Sequence, residues 1–437
     1  MTTEMQLTKL KEFRQAAYTC LGQARDAQFE LTDAVLLSGA VSSFAALSLS
    51  PVFRRQWPSL YEALQDGRPD RAGLVRLYTG QIPAEGRPVL AGDHTAWPRV
   101  SAFSLAERTV EHQPTRISGQ KPITVGQGYS SLVWLPPETS GSSWALPLLH
   151  ERISPTETPL AKGVSQLRQV TALLPQRPVS LWDAEYGNAV FVTASADIPA
   201  DKIIRLRPNL CLWQAPPPYS GHGRPRLHGA KFKLKEPSTW PEAVQSLTVE
   251  DPQLGTVHLT VWEQLHFRKA PQQPLILVRM ERRQARGTRR EPKDLWLIWV
   301  GEPPPPLPEW WRLYLRRFGV DHWYRFAKQR LYWTLPRLAT PEQAQRWSDL
   351  MPLMTWEVWL ARRVVTDRPL PWQKPQADLT PGRVCQSLGG VLAVIGTPAQ
   401  PPKPRGKSAG WPKGQPRKRR ERHPVVKKSQ KRPKKAT

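Results

Sequence analysis

Cysteine is nearly absent from this 437-residue chain. The three present, Cys20, Cys211 and Cys385, lie far apart and form no C-x-x-C pair. That spacing excludes a disulfide framework and a zinc ribbon, and it fits a reducing compartment. Long apolar runs are also missing. The longest, such as Leu295–Val300, are far shorter than a membrane span, and the amino terminus lacks an apolar stretch behind a basic start. A soluble cytoplasmic protein with no membrane partner is the expectation. Acids are scarce beside bases, 36 against 63, for a net charge of +27.

Proline and tryptophan, in contrast, are abundant, at 47 and 19 residues. Hydrophobic residues make up 39%, enough for a sizeable core in two or three domains. Residues 401–437 hold fifteen Lys or Arg against the single acid Glu421, roughly half of the total charge excess. Such a Pro/Lys/Arg tail has too little aliphatic content to build a core and reads as disordered. Because the body is basic too, nucleic acid is the expected polyanion rather than a tail that serves solubility alone.

Apolar spacing divides the chain into segments. Residues 1–85 read as helices, with Leu7, Leu10, Phe13, Ala17 and Leu21 on one face of the first. They suit a DNA-binding head. Residues 86–207 alternate strands and helices. Pro88–Asp93, Ile123–Leu135 and Trp144–Ile153 are strands, with a turn at Pro136–Ser143; Leu160–Leu174 is helical, Pro178–Asp183 a strand, and Lys202–Leu206 another after a short helix. This is the first part of a mixed α/β core. Residues 208–301 are β-rich, with basic loops at Gly223–Arg226 and Glu281–Arg290, and close on the strand Leu295–Val300. Within 302–365 a proline linker leads to one long helix, about Glu309–Trp333, and to a second opened by Thr340-Pro341-Glu342. Residues 366–400 read as a linker.

Three acids stand at element ends or on a helix. Asp93 closes a strand in Gly92-Asp93-His94-Thr95, Asp183 closes another in Trp182-Asp183-Ala184-Glu185-Tyr186-Gly187, and Asp321 lies on the long helix of about Glu309–Trp333. Positions 321, 325 and 328 share a helical face, so Asp321, Arg325 and Lys328 present acid, guanidinium and ammonium together. Two-metal phosphodiester cleavage needs hard oxygen ligands and cations for the scissile phosphate, and this set supplies both. Each piece alone has an ordinary structural explanation: a strand-end turn former, or an i,i+4 ion pair.

At these residues the sequence resembles the cut-and-paste DDE transposases of bacterial insertion sequences, in the branch with a β-strand insertion in a ribonuclease-H-like catalytic domain. The resemblance runs through most of residues 1–365. It rests on the Gly-Asp-His-Thr segment, the Asp183-x-x-Tyr186-Gly187 segment and the helix bearing Tyr324-Arg325 and Lys328. It implies catalysis and metal ligation by Asp93, Asp183 and Asp321, with two Mg²⁺ ions or Mn²⁺ in their place. It also implies cleavage at element ends, attack of the freed 3′-hydroxyl on target DNA, binding of terminal inverted repeats in double-stranded DNA, a homodimer in the synaptic complex, and a place at the nucleoid. The family's third acid is usually Glu; Asp321 is one methylene shorter, which withdraws the carboxylate by about 1–1.5 Å.

Tyr324, Arg325, Lys328, Arg224, Arg226, Lys231 and Lys233 are the DNA-contact candidates, with Lys235 beside them; the stretch from 224 to 235 equally suits a lysine-protected sheet edge. His94, His322 and Glu185 are candidate supporting groups. Trp182, Trp310, Trp311, Trp323 and Trp333 are expected mainly in the core. Two other functions stay open: a two-metal nuclease without strand transfer, and a catalytically inactive or domesticated nucleic-acid binder.

Overall fold

A computed structural model describes residues 2–113, 122–137, 144–252, 254–282, 294–404, 410, 412–416 and 419–427. Most of the expected turn Pro136–Ser143, the basic loop beyond Arg282 and tail residues 405–409, 411, 417–418 and 428–437 lie outside that set.

The chain opens with four helices, α1 (Thr3–Cys20), α2 (Arg25–Leu37), α3 (Pro58–Asp66) and α4 (Arg71–Thr79). Strands β1 (Val89–Pro98), β2 (Thr109–His112), β3 (Ile123–Leu135) and β4 (Leu146–Arg152) follow. Next come α5 (Pro159–Thr171), β5 (Val179–Trp182), α6 (Ala189–Ala194) and β6 (Asp201–Leu206). Strands β7 (Cys211–Gln214), β8 (Lys231–Lys233), β9 (Gln245–Asp251), β10 (Gly255–Phe267) and β11 (Ala270–Arg282) form an insertion ahead of β12 (Leu295–Val300). Four helices close the chain: α7 (Leu307–Arg316), α8 (Phe318–Gln329), α9 (Pro341–Ala361) and α10 (Pro381–Ile395).

One mixed sheet carries the strand order β2-β3-β1-β5-β6-β12-β11-β10-β7-β8, with β4 on β3 and β9 on β10. β3 runs antiparallel to β1, while β1, β5 and β6 are mutually parallel. Three antiparallel strands continuing into two parallel ones, with a helix in the crossover, make a ribonuclease-H-like core. β12 joins antiparallel to β6 and carries the sheet into the insertion. Residues Gly126–Leu135 of β3 are buried without alternation, because both faces of the sheet are covered. α5 packs on β3 and β1, α8 on β1, and α9 on β4.

The amino-terminal helices are not a detached head. α1, α3 and α4 pack on α9, and α10 packs on both α2 and α9. At the centre, buried Arg14 on α1 donates to Asp33 of α2 at 2.9 Å, to Glu357 of α9 and to the Gly396 carbonyl beyond α10. Residues 366–400, expected as a linker, therefore contain a packed helix. Its apolar positions Val384, Leu388, Val391 and Leu392 have helical spacing and are buried.

The expected single helix over Glu309–Trp333 is two, hinged at Arg317, whose side chain turns inward. Gly319, a poor helix former, follows at once and lies against Leu135. The tail is also partly seated: His423 donates its backbone N–H to the Phe103 carbonyl and Val426 to the Arg108 carbonyl. All five tryptophans expected in the core are there, each at most 3% exposed.

Candidate functional site

Strand register builds the first half of the site. Gly92 of β1 pairs with Trp182 of β5, so Asp93 and Asp183 each directly follow the last paired residues of two parallel strands, whose spacing is about 4.8 Å. Gly92 is required there. A Cβ at this position would sit 2.0 Å from Cζ3 of Trp182, whose ring crosses the strand. Trp182 is itself boxed in by Tyr186 and Phe191, with ring centroids 4.7 Å away in each case. Its packing holds the strand end on which Asp183 stands.

Helix α8 supplies the third acid through an intermediary. Arg317 Nη1 lies 3.2 Å from Asp93 Oδ2, and Nη2 lies 3.5 Å from Asp321 Oδ2. One guanidinium thus joins the carboxylates of β1 and α8 across 228 residues of sequence. The Asp93 side chain is 13% exposed, that of Arg317 9% and that of Asp321 49%. Burial pushes the Asp93 carboxyl up to about 6; Arg317 and His94 pull it down, and Asp183 adds to the rise. Burial alone would lower Arg317, but Tyr314, Asp93, Asp321 and Asp183 together hold it above its ordinary value. Arg317 Nε and the Tyr314 hydroxyl are buried without a hydrogen-bond partner among the described residues.

Arg317 was not legible as a site residue in the sequence. The expected partner of Asp321, Arg325, lies one turn downstream and is exposed to solvent. The residue one turn upstream, at the helix joint, makes the contact instead. An i,i+4 pair runs in both directions along a helix, and only the packing of α8 on β1 selects between them.

The remaining candidates are distributed as follows. Tyr324, expected on DNA, is buried; its hydroxyl lies 2.9 Å from the Asp93 carbonyl and 3.0 Å from Ser131 Oγ. Lys328 donates to Thr95 Oγ1 at 2.7 Å, and burial lowers its ammonium against the pull of Asp93. Both therefore brace α8 on β1 from within. The His94 backbone N–H caps Asp93 Oδ1 at 2.8 Å, and its ring lies between Tyr186 and Glu185, 3.6 Å from Glu185 Oε2. The Glu185 backbone N–H donates to Asp183 Oδ1 at 2.9 Å. His322 points to solvent. In the insertion, Arg224, Arg226, Lys231 and Lys235 are exposed; Lys231 lies 5.5 Å from the centre of the Trp213 ring, and Lys233 pairs with Glu236 at 2.8 Å.

The donor chemistry fits a hard divalent cation. Asp93, Asp183 and Asp321 offer only carboxylate oxygens, and the one guanidinium in contact with them leaves negative charge in excess in a partly desolvated pocket. In the present side-chain positions no three His, Cys, Asp or Glu groups among the described residues are close enough to share one ion.

Asp93 does not close its strand as expected, because β1 runs on against β3 to Pro98; it stands just past the last residue paired with β5, and Asp183 directly follows β5. A ribonuclease-H-like sheet with these two acids side by side, interrupted by a β-rich insertion, is the frame of an enzyme that cuts nucleic-acid backbones. The family model described as DDE superfamily endonuclease matches residues 17–264, more than half of the chain, and the chain belongs to that family. No curated protein matches it significantly. The match runs from the last turn of α1 into β10 and includes Asp93 and Asp183; Asp321 lies beyond it. Membership makes this a nuclease-type enzyme whose substrate is DNA, in a family that generally uses divalent metals. Among the described residues no helix is long and apolar enough to cross a membrane.

Proposed function

We propose that the protein is a DNA transposase of an insertion sequence, which cleaves element ends and joins the freed 3′-hydroxyl to target DNA. The observation that carries this is the Asp93–Arg317–Asp321 bridge beside the Asp93–Asp183 register pair. It links an acid from outside the family match to one of the two acids within it. Asp93, Asp183 and Asp321 would hold the metal, which we take to be Mg²⁺, and when bound it supplies Lewis-acid activation of the attacking and leaving oxygens.

The chain's own groups do the rest. The backbone N–H groups of His94 and Glu185 donate to one oxygen each of Asp93 and Asp183, which orients both carboxylates, and Arg317 holds the second oxygen of Asp93. Arg317, held between Asp93 and Asp321, is the cation beside the acids for a non-bridging phosphate oxygen. Trp182 and Tyr186 wall the site off from the core. Terminal-repeat recognition and a homodimeric synapse belong to the same reading, as does residence at the nucleoid.

The test is cleavage and strand transfer with the full chain, Mg²⁺ or Mn²⁺, and a duplex bearing the inverted repeats that flank the gene. Asp93→Asn and Asp183→Asn should abolish both reactions while leaving DNA binding intact. Joining of pre-cut ends separates a transposase from a nuclease that only cuts. Metal-independent binding with no cleavage to lose would favour the inactive binder and refute the proposal.

A further inference from the structure

The carboxy-terminal tail holds the largest concentration of positive charge in the chain, and part of it has a fixed seat. After the last strand of the core, residues 419–427 lie along the loop that joins β1 to β2. His423 donates its N–H to the Phe103 carbonyl at 2.9 Å, Val426 donates to the Arg108 carbonyl at 2.7 Å, and Val426 bridges Thr109 in parallel. Arg108, 2% exposed, commits its guanidinium to the carbonyls of His423 at 3.1 Å and Val100 at 2.9 Å. The seat therefore uses backbone groups, with Val425 and Val426 half-buried. Arg419, Arg420, Arg422 and Lys427 are left exposed. A buried arginine that serves two carbonyls from distant segments makes the position of the strap specific rather than incidental.

Register locates this strap relative to the acids. Thr109 pairs with Gly126, which pairs with Pro98, so Val426 is in line with the far end of β1, three strand spacings across. Asp93 lies five residues back along β1, on the stretch that projects beyond the end of β5. Strand geometry then puts the strap roughly 20 Å from Asp93, at the end of the sheet where both strand acids stand. A duplex engaged at Asp93 reaches that distance in about six phosphates of one strand.

We propose that residues 419–427 are a docked basic strap that binds the backbone of duplex DNA flanking the acid pocket, so that the tail acts from a fixed position. This rests on the DNA reading of the site. It differs from a free tail because the charges are pre-positioned and their ordering cost is already met by the Arg108 and Val426 contacts.

Binding of a fluorescein-labelled 30-base-pair duplex of arbitrary sequence, followed by anisotropy against salt with the full chain, tests it. Arg419→Gln/Arg420→Gln, which leaves the Arg422 guanidinium on the Phe103 ring, should reduce the salt slope by about 2 and weaken binding at least ~10-fold near 0.1 M salt. Val426→Pro removes one docking hydrogen bond and no charge. It should expose the Arg419–Arg422 segment to faster trypsin cleavage and weaken binding by roughly three- to tenfold. Because it lies outside the core elements, its folding is not in question. Unchanged affinity for Val426→Pro overturns the strap in favour of a free tail, and tighter binding overturns it in favour of a segment that masks the site. Absence of binding by the unaltered protein overturns the DNA reading itself, and the strap with it.

Discussion

Replacing Gly92 by alanine should show how tightly the two strand acids are coupled. In an ordinary strand this change adds a methyl group and removes unfolded-state entropy, a gain of about 0.5–1 kcal/mol. Here the new Cβ would lie 2.0, 2.3 and 2.6 Å from three ring atoms of Trp182. An ordinary contact begins near 3.4 Å, so the indole has to recede by about 1.4 Å. It has nowhere to go: Tyr186 and Phe191 close two sides, Gly163 lies beneath it, and Nε1 is bonded to Ser180 Oγ at 3.0 Å. Overpacking of this kind costs about 1–3 kcal/mol, so the sign of the change reverses. Since Trp182 precedes Asp183, the same shift moves a carboxylate by about 1 Å, which costs on the order of a hundredfold in cleavage rate. Urea unfolding and near-ultraviolet circular dichroism measure the first effect, and single-turnover cleavage the second. Gly390→Ala on α10, where a new Cβ would come no nearer than 4.0 Å to Arg368, is the control and should gain up to about 1 kcal/mol. A Gly92→Ala protein as stable as the parent, with unchanged tryptophan dichroism, would refute the reasoning.

Three further outcomes are expected. His150 is fully buried among Trp333, Trp323 and Tyr129, and burial, with Lys328 adding to it, lowers its imidazole to about 3. Its contribution is complete above pH 6.5 and is lost as pH falls towards 3. At pH 5 the loss is about 2 kcal/mol, and His150→Phe should flatten this part of the stability profile in denaturant titrations. Arg317→Met strands Asp93 in a desolvated pocket and should cost roughly 3 kcal/mol at pH 8. Because the variant raises the folded-state Asp93 carboxyl still further, the deficit should shrink on acidification, and Asp93→Asn in the same chain should relieve it. Asp321→Glu returns the missing methylene; if the shorter acid limits metal placement, cleavage should rise by up to about a hundredfold. A fall in rate would show that α8 is already set for aspartate.

Local pattern was enough to read much of this molecule. Apolar runs located β1, β5 and the α/β core, because a buried strand must be apolar; Asp183 follows β5 as a turn former, whereas β1 continues five residues past Asp93 because β3 pairs with it to Pro98. The tryptophans fell inside for the same reason. The packed helix in 366–400 was also within reach, since Val384, Leu388, Val391 and Leu392 repeat at helical spacing; the surrounding proline-rich composition hid it. What the pattern could not reach was anything that depends on where two remote segments meet. Arg317 and Arg325 are equally spaced about Asp321, and only the docking of α8 on β1 turns one towards Asp93 and the other to solvent. Tyr324 and Lys328 likewise have polar tips that suit DNA, until packing commits them to the Asp93 carbonyl and Thr95.

Sequence by itself determined that the chain would be basic, through its composition, and that it would be built on an α/β frame with three acids in unusual contexts, through its apolar spacing and local motifs. Tertiary structure alone decided which cation faces those acids, that the helical segment is joined to the core through α9, and that part of the tail is seated by Arg108. Charge and periodicity are properties of neighbours along the chain, whereas a salt bridge across 224 residues depends on register and packing that no short window of sequence contains.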